Sequence, residues 1–290
     1  MPRPGSVLKW GANRLLRPIG LEIRRIPPSA PVPALVDDPE QAMSMIRQGE
    51  MAAVRAPIRQ CVIFNGLSLA PAGWHPFVAA AREMLNGRST GFEGSCLEDF
   101  YARWQPANAL EALIGASLGP QCLAAYPRYL MHAPWLGTSP DERLKSITRI
   151  IEIENAQFGN GALAVDAGYG LQGPVLPEKG RIEYHRLARV LYSIRQHGYD
   201  RSKGDITAQI LKRGETYRFR IVHGHHRAAA LAALGHEHLP IQPKMLLDRT
   251  ESAHWPQVYR GAWSQAQAET FFDHHFDFDS RAWAARLSLT

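Results

Sequence analysis

The sequence predicts an α+β protein: a mostly helical N-terminal region followed by a small mixed αβ domain. Up to about residue 155, apolar residues recur at helical spacing behind recognisable helix-start signals. Between Gly180 and Pro243 the period switches from helix to strand and back. Size agrees, since 290 residues can bury one large core or two small ones without disulfides or a structural metal. The chain divides on these grounds into an arm over 1–26, a proline-rich linker over 27–40, a helical region over 41–160, an αβ domain over 161–245 and a helical tail over 246–290.

Composition narrows the class. Hydrophobic residues at 45% and charged residues at 21% are ordinary globular values. No apolar run approaches the roughly 18 to 20 residues of a membrane-spanning helix, which excludes a helical membrane protein. Cys61, Cys96 and Cys122 are odd in number and lack C-x-x-C spacing, so they read as free thiols in a reducing compartment. The first twenty residues contain no continuous apolar stretch of the secretory type, and a cytoplasmic location is expected. The net charge of +6 is concentrated in residues 1–26, which hold six cations against Glu22 alone; the remainder is nearly neutral. A duplex-binding face is therefore not expected. Within the arm, Leu8, Ala12, Leu15, Leu16 and Ile19 form a helical stripe with Lys9, Arg14 and Arg17 beside it. Such a stripe either packs on the body or lies on anionic lipid, which would make the protein peripheral to the inner face of the membrane.

Residues 27–40 hold five prolines and read as an extended linker. The run from His75 predicts a helix over 76–86 ended by Gly87. Ser95 with Glu98, and Ser139 with Glu142, are spaced as capping boxes, the second opening a helix whose Leu144, Ile147, Ile150 and Ile151 form an inward stripe. Gly159, Gly161, Gly168, Gly170, Gly173 and Pro174 then crowd together as a boundary or mobile loop. Leu187, Val190, Leu191 and Ile194 share one face of a helix that Gly198 stops. A hairpin follows: Ile206–Leu211, a turn at 212–215, and Tyr217–Val222, where Tyr217, Phe219 and Ile221 alternate with Arg218 and Arg220. Then come His223-Gly-His-His-Arg227, an alanine-rich helix over 228–234, and a short strand over 239–242.

A strand that enters a glycine turn and opens a helix leaves backbone N–H groups pointing where an anion can sit. Gly224 allows close approach, Arg227 can fork onto phosphate oxygens, and His225 or His226 can donate or, when protonated, add charge. On the preceding helix Arg186, Arg189 and Ser193 share a face distinct from the core stripe, so phosphates could be held from both sides.

The run HGHHRAAALAALGHEHLPI, preceded by EYHRLARVLYSIRQHGYD, resembles the ParB/sulfiredoxin-like superfamily over roughly residues 178–243. The resemblance implies that Gly224, His226 and Arg227 bind nucleotide phosphates, with Arg186, Arg189 and Ser193 contributing from the upstream helix. His225 stands where sulfiredoxins carry their reactive cysteine, and no cysteine follows residue 122, so thiol chemistry is excluded. Forty-seven residues follow Pro243, fewer than the helix-turn-helix domain of chromosome-segregation ParB proteins, so no specific DNA binding is expected. The G-H-H-R run is most similar to free-serine kinases of the superfamily. That likeness makes Glu183 the candidate base, Glu178 the second choice, and His225 a further catalytic candidate; His223 replaces the acidic residue those kinases carry before the glycine. The wider pattern, including GPVLPEKGRIEYHRL and the arm, is similar to bacterial ParB-like proteins found with cell-surface polysaccharide genes.

His223, His225, His226, His236 and His238 lie close in sequence, but adjacent histidines point differently and no cysteine is near, so no metal site is expected. The aromatic run Phe271–Asp279 reads as core packing, as do the tryptophans. The expected function is binding of ATP or another nucleoside triphosphate with Mg, and phosphoryl transfer to a small hydroxyl acceptor. The alternative is a non-catalytic nucleotide switch or partner-binding module in a cell-surface polysaccharide pathway.

Overall fold

Alternation of apolar side chains places the hairpin residues in two separate cores, one on each face of a single sheet. Ala208, Ile210, Phe219 and Ile221 enter one core, while Leu211 enters the other and Gln209 turns the same way to meet Trp135. The computed structural model describes residues 31–115, 118–159, 161 and 163–290, so the arm over 1–26 and its lipid reading lie outside the described residues. The elements run β1 (Ala34–Val36), α1 (Pro39–Arg47), β2 (Ala52–Pro57), β3 (Cys61–Val62), α2 (Pro76–Leu85), α3 (Cys96–Arg103), α4 (Pro140–Gln157) and α5 (Pro177–His197). They continue with β4 (Ile206–Arg213), β5 (Thr216–His223), α6 (His225–Ala233), β6 (His238–Asp248), α7 (Pro256–Tyr259), α8 (Gln265–Asp277) and α9 (Ser280–Arg286).

The fold is mixed α/β around one six-stranded sheet, in the order β1-β2-β6-β4-β5-β3. β4 and β5 form the expected antiparallel hairpin, while β4 and β6 run parallel. Three of the strands come from stretches read as linker or helical. Ala34–Val36 pairs with β2, Val54 pairs with Ile241, and Cys61 and Val62 pair with Phe219 and Arg220. The linker reading of 27–40 is thus corrected over its described part: prolines at 31 and 33 precede a short edge strand, and Pro39 starts a helix capped by Asp38. Periodicity missed β2 because Ala52, Ala53 and Val54 are all buried, which removes the alternation that reveals a half-exposed strand, and β1 and β3, at 3 and 2 residues, are too short to show a period. The final strand, read as 239–242, extends to Asp248.

One face of the sheet carries α2, α3, α5 and α6, packed through Phe77, Phe100, Leu187, Leu191 and Leu231. The other carries the segment around Leu110–Trp135 and helix α8, with Trp135 stacked on Phe271 at 5.7 Å and edge-on to Trp255 at 5.3 Å. Phe271 and Phe272 are fully buried there, in agreement with the core reading of the tail. Ser139 and Glu142 form the reciprocal capping box. At Ser95 the box is displaced: the Ser95 hydroxyl accepts from the Glu98 N–H, but the Glu98 carboxylate accepts from Gly94 N at 2.7 Å.

Within the glycine cluster, Gly170 and Gly173 are held by close contacts. Gly173 donates to Trp104 O at 3.1 Å and lies so close to Tyr101 that a Cβ would sit 1.9 Å from its carbonyl oxygen. Tyr101 Oη donates to Gly170 O at 2.6 Å. These glycines dock the α4–α5 connection onto α3, because only a chain without Cβ can approach another backbone so closely.

Gly180 makes a testable point. Alanine is preferred to glycine in a helix by about 1 kcal/mol, yet a Cβ at Gly180 would lie 2.1 Å from the ring of buried Phe92. Gly180→Ala should therefore destabilise the protein, by about 1–3 kcal/mol, read as a lower urea midpoint at unchanged m-value. Equal or higher stability would show that α5 and Phe92 separate easily.

Candidate functional site

β3 ends at Val62, opposite Arg220, so the edge of β5 beyond Arg220 has no neighbouring strand. A cavity of about 650 Å³ opens there, with α4 and α5 as its walls and the start of α6 at one end. The volume is that of a small-molecule site. Its lining joins residues far apart in sequence: Arg143, Ile147, Ile150, Ile151 and Glu154 from α4, Glu183, Arg186 and Arg189 from α5, and Ile221 to Arg227 from the strand, turn and helix.

Gly224 is the N-cap of α6, in left-handed conformation at φ 87°, and no side chain caps the helix. The first N–H groups of a helix have no intrahelical acceptor, and their combined dipole favours an anion. The turn is therefore built as expected and lines the cavity. Of the upstream residues, Arg186 and exposed Arg189 line the same cavity, whereas Ser193 is exposed and lies outside it, so the expected hydroxyl contact is not formed. The seven-residue step to Ser193 carries it along α5 past the cavity. Arg227 lines the cavity but also donates to the carbonyl of Gly204 and, at 3.4 Å, to Tyr199 Oη, bracing the α5–β4 connection.

Glu183 is only 3% exposed. Its Oε1 lies 2.8 Å from Lys179 Nζ and 3.0 Å from Arg186 Nη1, and its Oε2 lies 2.9 Å from His226 Nε2, off the N–H axis of that ring. Lys179 is itself 2% exposed and donates to Asn155 Oδ1 at 3.1 Å. Burial alone would push the Glu183 carboxyl up. Interaction with His226 and the charges of His226, Lys179 and Arg186 outweigh it and hold the group well below the usual carboxylate range. So stabilised an anion is a weak base, which argues against Glu183 itself taking the acceptor proton.

His225 has a buried Nδ1 without a partner, and burial, together with His226, His223 and Arg220, pushes its pKa down to about 3. The ring is neutral at pH 7, so the charge assistance expected of a protonated His225 is corrected to that of a neutral polar group. His75 is similar: its Nδ1 accepts from Phe77 N, and burial, His225 and His226 bring its pKa to about 3. His226 stacks on Phe77 with ring centroids 4.7 Å apart.

Sequence reasoning passed over Arg143, Glu154, Arg220 and Lys244, which also line the cavity. Arg220 was hidden because alternation marks 218 and 220 as the polar face of a hairpin, and nothing local signals that a second layer covers that face. The walls carry five arginines and one lysine against two glutamates. Both glutamates pair with Arg186, and among the described residues no group of three or more His, Cys, Asp or Glu is arranged to hold a metal. The donor set thus offers magnesium no uncommitted cavity carboxylate. All three cysteines are free, and none lines the cavity. No helix among the described residues is long and apolar enough to cross a membrane. The arrangement suits an anion that brings an apolar portion with it. No protein-family model, curated protein or solved structure matches the chain.

Glu183→Gln would leave Lys179 and Arg186 facing each other without their shared anion. It should cost about 3–5 kcal/mol in urea unfolding at pH 7, and Lys179→Met in the same chain should restore part of the loss. Strictly additive losses would mean that the pair is not coupled. A lowered folded-state pKa contributes stability that is complete above the unfolded carboxylate range of about pH 4. The difference between wild type and Glu183→Gln should therefore persist to pH 4 and shrink only as the pH falls towards the folded pKa.

Proposed function

We propose that the protein binds a nucleoside triphosphate in this cavity, with the phosphates at the Gly224 turn. One observation carries the reading: the uncapped start of α6, together with Arg186, Arg189 and Arg227, borders a single cavity of about 650 Å³. Backbone N–H groups and arginine forks supply directional, charge-assisted hydrogen bonds to phosphate oxygens. Arg227 and Arg186 are already tethered, by the Gly204 carbonyl and by Glu183 and Glu154 respectively, so little side-chain entropy is lost when phosphate arrives. Magnesium would accompany the polyphosphate and neutralise part of its charge.

A catalytic extension of this reading is supported by the contact between His226 and Glu183. In the neutral ring Nδ1 is the atom left to accept a proton, because Nε2 faces the Glu183 carboxylate at 2.9 Å, off its N–H axis, and the nearby carboxylate charge favours the imidazolium that forms. An acceptor hydroxyl would lose its proton to His226 as its oxygen bonds to the terminal phosphorus. The bond from phosphorus to the bridging oxygen breaks, and the nucleoside diphosphate leaves with that electron pair. His226 thus replaces Glu183 as the proposed base, and Glu183 becomes a positioning residue. The superfamily resemblance implies nucleotide use, and the non-catalytic switch or partner-binding module in a cell-surface polysaccharide pathway is the alternative to transfer.

Thermal unfolding with ATP, ADP, CTP and GTP plus magnesium tests the site. At a nucleotide concentration a hundredfold above Kd the wild type should gain about 2.7 kcal/mol, and Arg227→Ala should lose most of the response while retaining its circular dichroism spectrum. An equal response in the variant sinks the assignment. For the catalytic extension, His226→Gln should lower acceptor-dependent diphosphate release at saturating nucleotide by about a hundredfold or more; release that ignores the substitution would leave binding without transfer.

A further inference from the structure

We propose that the cavity contains a second anion site, built on Arg220 and Arg143, which takes the acidic head of an amphipathic ligand whose apolar body lies on Ile147, Ile150 and Ile151. It rests on the nucleotide reading in one respect only, that this ligand would be the phosphoryl acceptor.

Arg220 is 5% exposed, yet among the described residues no carboxylate stands within ion-pair distance of it. Arg186, Arg201, Arg213 and Arg249 each have such a partner. Arg220 has instead the neutral oxygen of Gln209, which accepts from its Nε at 3.0 Å and from Nη2, while Trp135 Nε1 donates to the same oxygen at 3.0 Å. The rings of Phe64 and Trp135 lie 5.2 and 5.5 Å from the guanidinium carbon. The guanidinium is thus held in place by packing and a single amide, a preorganised donor rather than a structural ion pair.

Its charged neighbour is another cation. Arg143, half-buried at the start of α4, has its Nε engaged by Met131 O at 3.2 Å and likewise has no carboxylate at ion-pair distance among the described residues. Burial and Arg143 together push the Arg220 pKa down to about 9, the response of a cation placed away from water beside its own sign. Two such cations bordering an open cavity are costly without an anion. Lys244 adds a third positive charge to the lining.

This site is not the Gly224 turn. Arg220 precedes Gly224 by four residues of extended strand, about 13 Å, and points to the opposite face of the sheet from Ile221. The same cavity has an apolar wall. Ile147, Ile150 and Ile151 share a face of α4, and Ile150 remains 47% exposed although its two neighbours are buried. Hydrocarbon on that wall removes Ile150 from water while the acidic head reaches the arginines.

Calorimetric titration of the full chain with octyl phosphate, octanoate and inorganic phosphate tests this, using Arg220→Met, Arg143→Gln and the wild type. At least one octyl acid should bind wild type more tightly than inorganic phosphate, and the better of the two identifies the head group. Arg220→Met should weaken that acid on the order of tenfold to a hundredfold while its ATP response persists and its thermal midpoint holds or rises, because an unpaired buried charge is gone. Should that variant fail to fold, Arg143→Gln decides, with an expected loss of several-fold. Absence of octyl-acid binding to wild type, or equal binding to the variants, overturns the proposal; so does loss of the ATP response in Arg220→Met, which would assign Arg220 to the nucleotide. Arginine-dependent octyl-acid binding in a protein that ignores ATP would uphold this site and remove the nucleotide reading.

Discussion

Glu183 holds together the elements around the cavity. Its carboxylate is almost entirely out of water, and it is kept there by Lys179 and Arg186 on its own helix and by His226 at the start of α6. Arg186 extends the network to Glu154 on α4 and lies over the Phe158 ring at 4.3 Å. Three helices are therefore fixed relative to one another by charges that cannot exchange freely with water. In a low-dielectric setting such a group is highly sensitive to the removal of any member, and it specifies geometry more than it adds net stability. Gly170 belongs to this constraint as well, since a Cβ there would sit 2.8 Å from the Glu183 side chain.

That network separates two kinds of cation in one chamber. Arg186 is neutralised by glutamates before any ligand arrives, whereas Arg143 and Arg220 have no acid within ion-pair distance among the described residues. The uncapped start of α6 contributes partial positive charge to the same chamber. A chamber of this kind discriminates by sign first and by shape second: a neutral ligand of the right volume would leave Arg143 and Arg220 facing only dipoles, whereas an anionic one relieves them. The isoleucines of α4 add an apolar face to the same lining.

Several features were legible from local pattern. The hairpin, the glycine turn, the α6 helix and the Ser139 capping box depend on interactions within a few residues, so alternation, turn chemistry and capping residues reveal them. Arg186, Arg189 and Gly224 meet at one cavity because helical and strand periods already aligned them on particular faces. The same reasoning placed Ser193 on that helical face, and its failure shows the limit: a face is a direction, and the cavity covers only part of the helix length. β2 and β3 were illegible because their buried runs show no alternation and their pairing with β6 and β5 spans more than a hundred residues, and β1 is a three-residue edge strand.

The amino-acid order thus specified the glycine-opened helix, the hairpin and the shared helical face of Arg186 and Arg189, since these follow from torsional preference and periodicity, while the meeting of that face with the α6 start came from packing. Which of the charges would be neutralised was left to the packed molecule. Burial, dielectric and the identity of the nearest opposite charge are properties of chains brought together from distant positions, and they alone turned Glu183 into a fixed anion, His225 into a neutral ring and Arg220 into a cation without an acid.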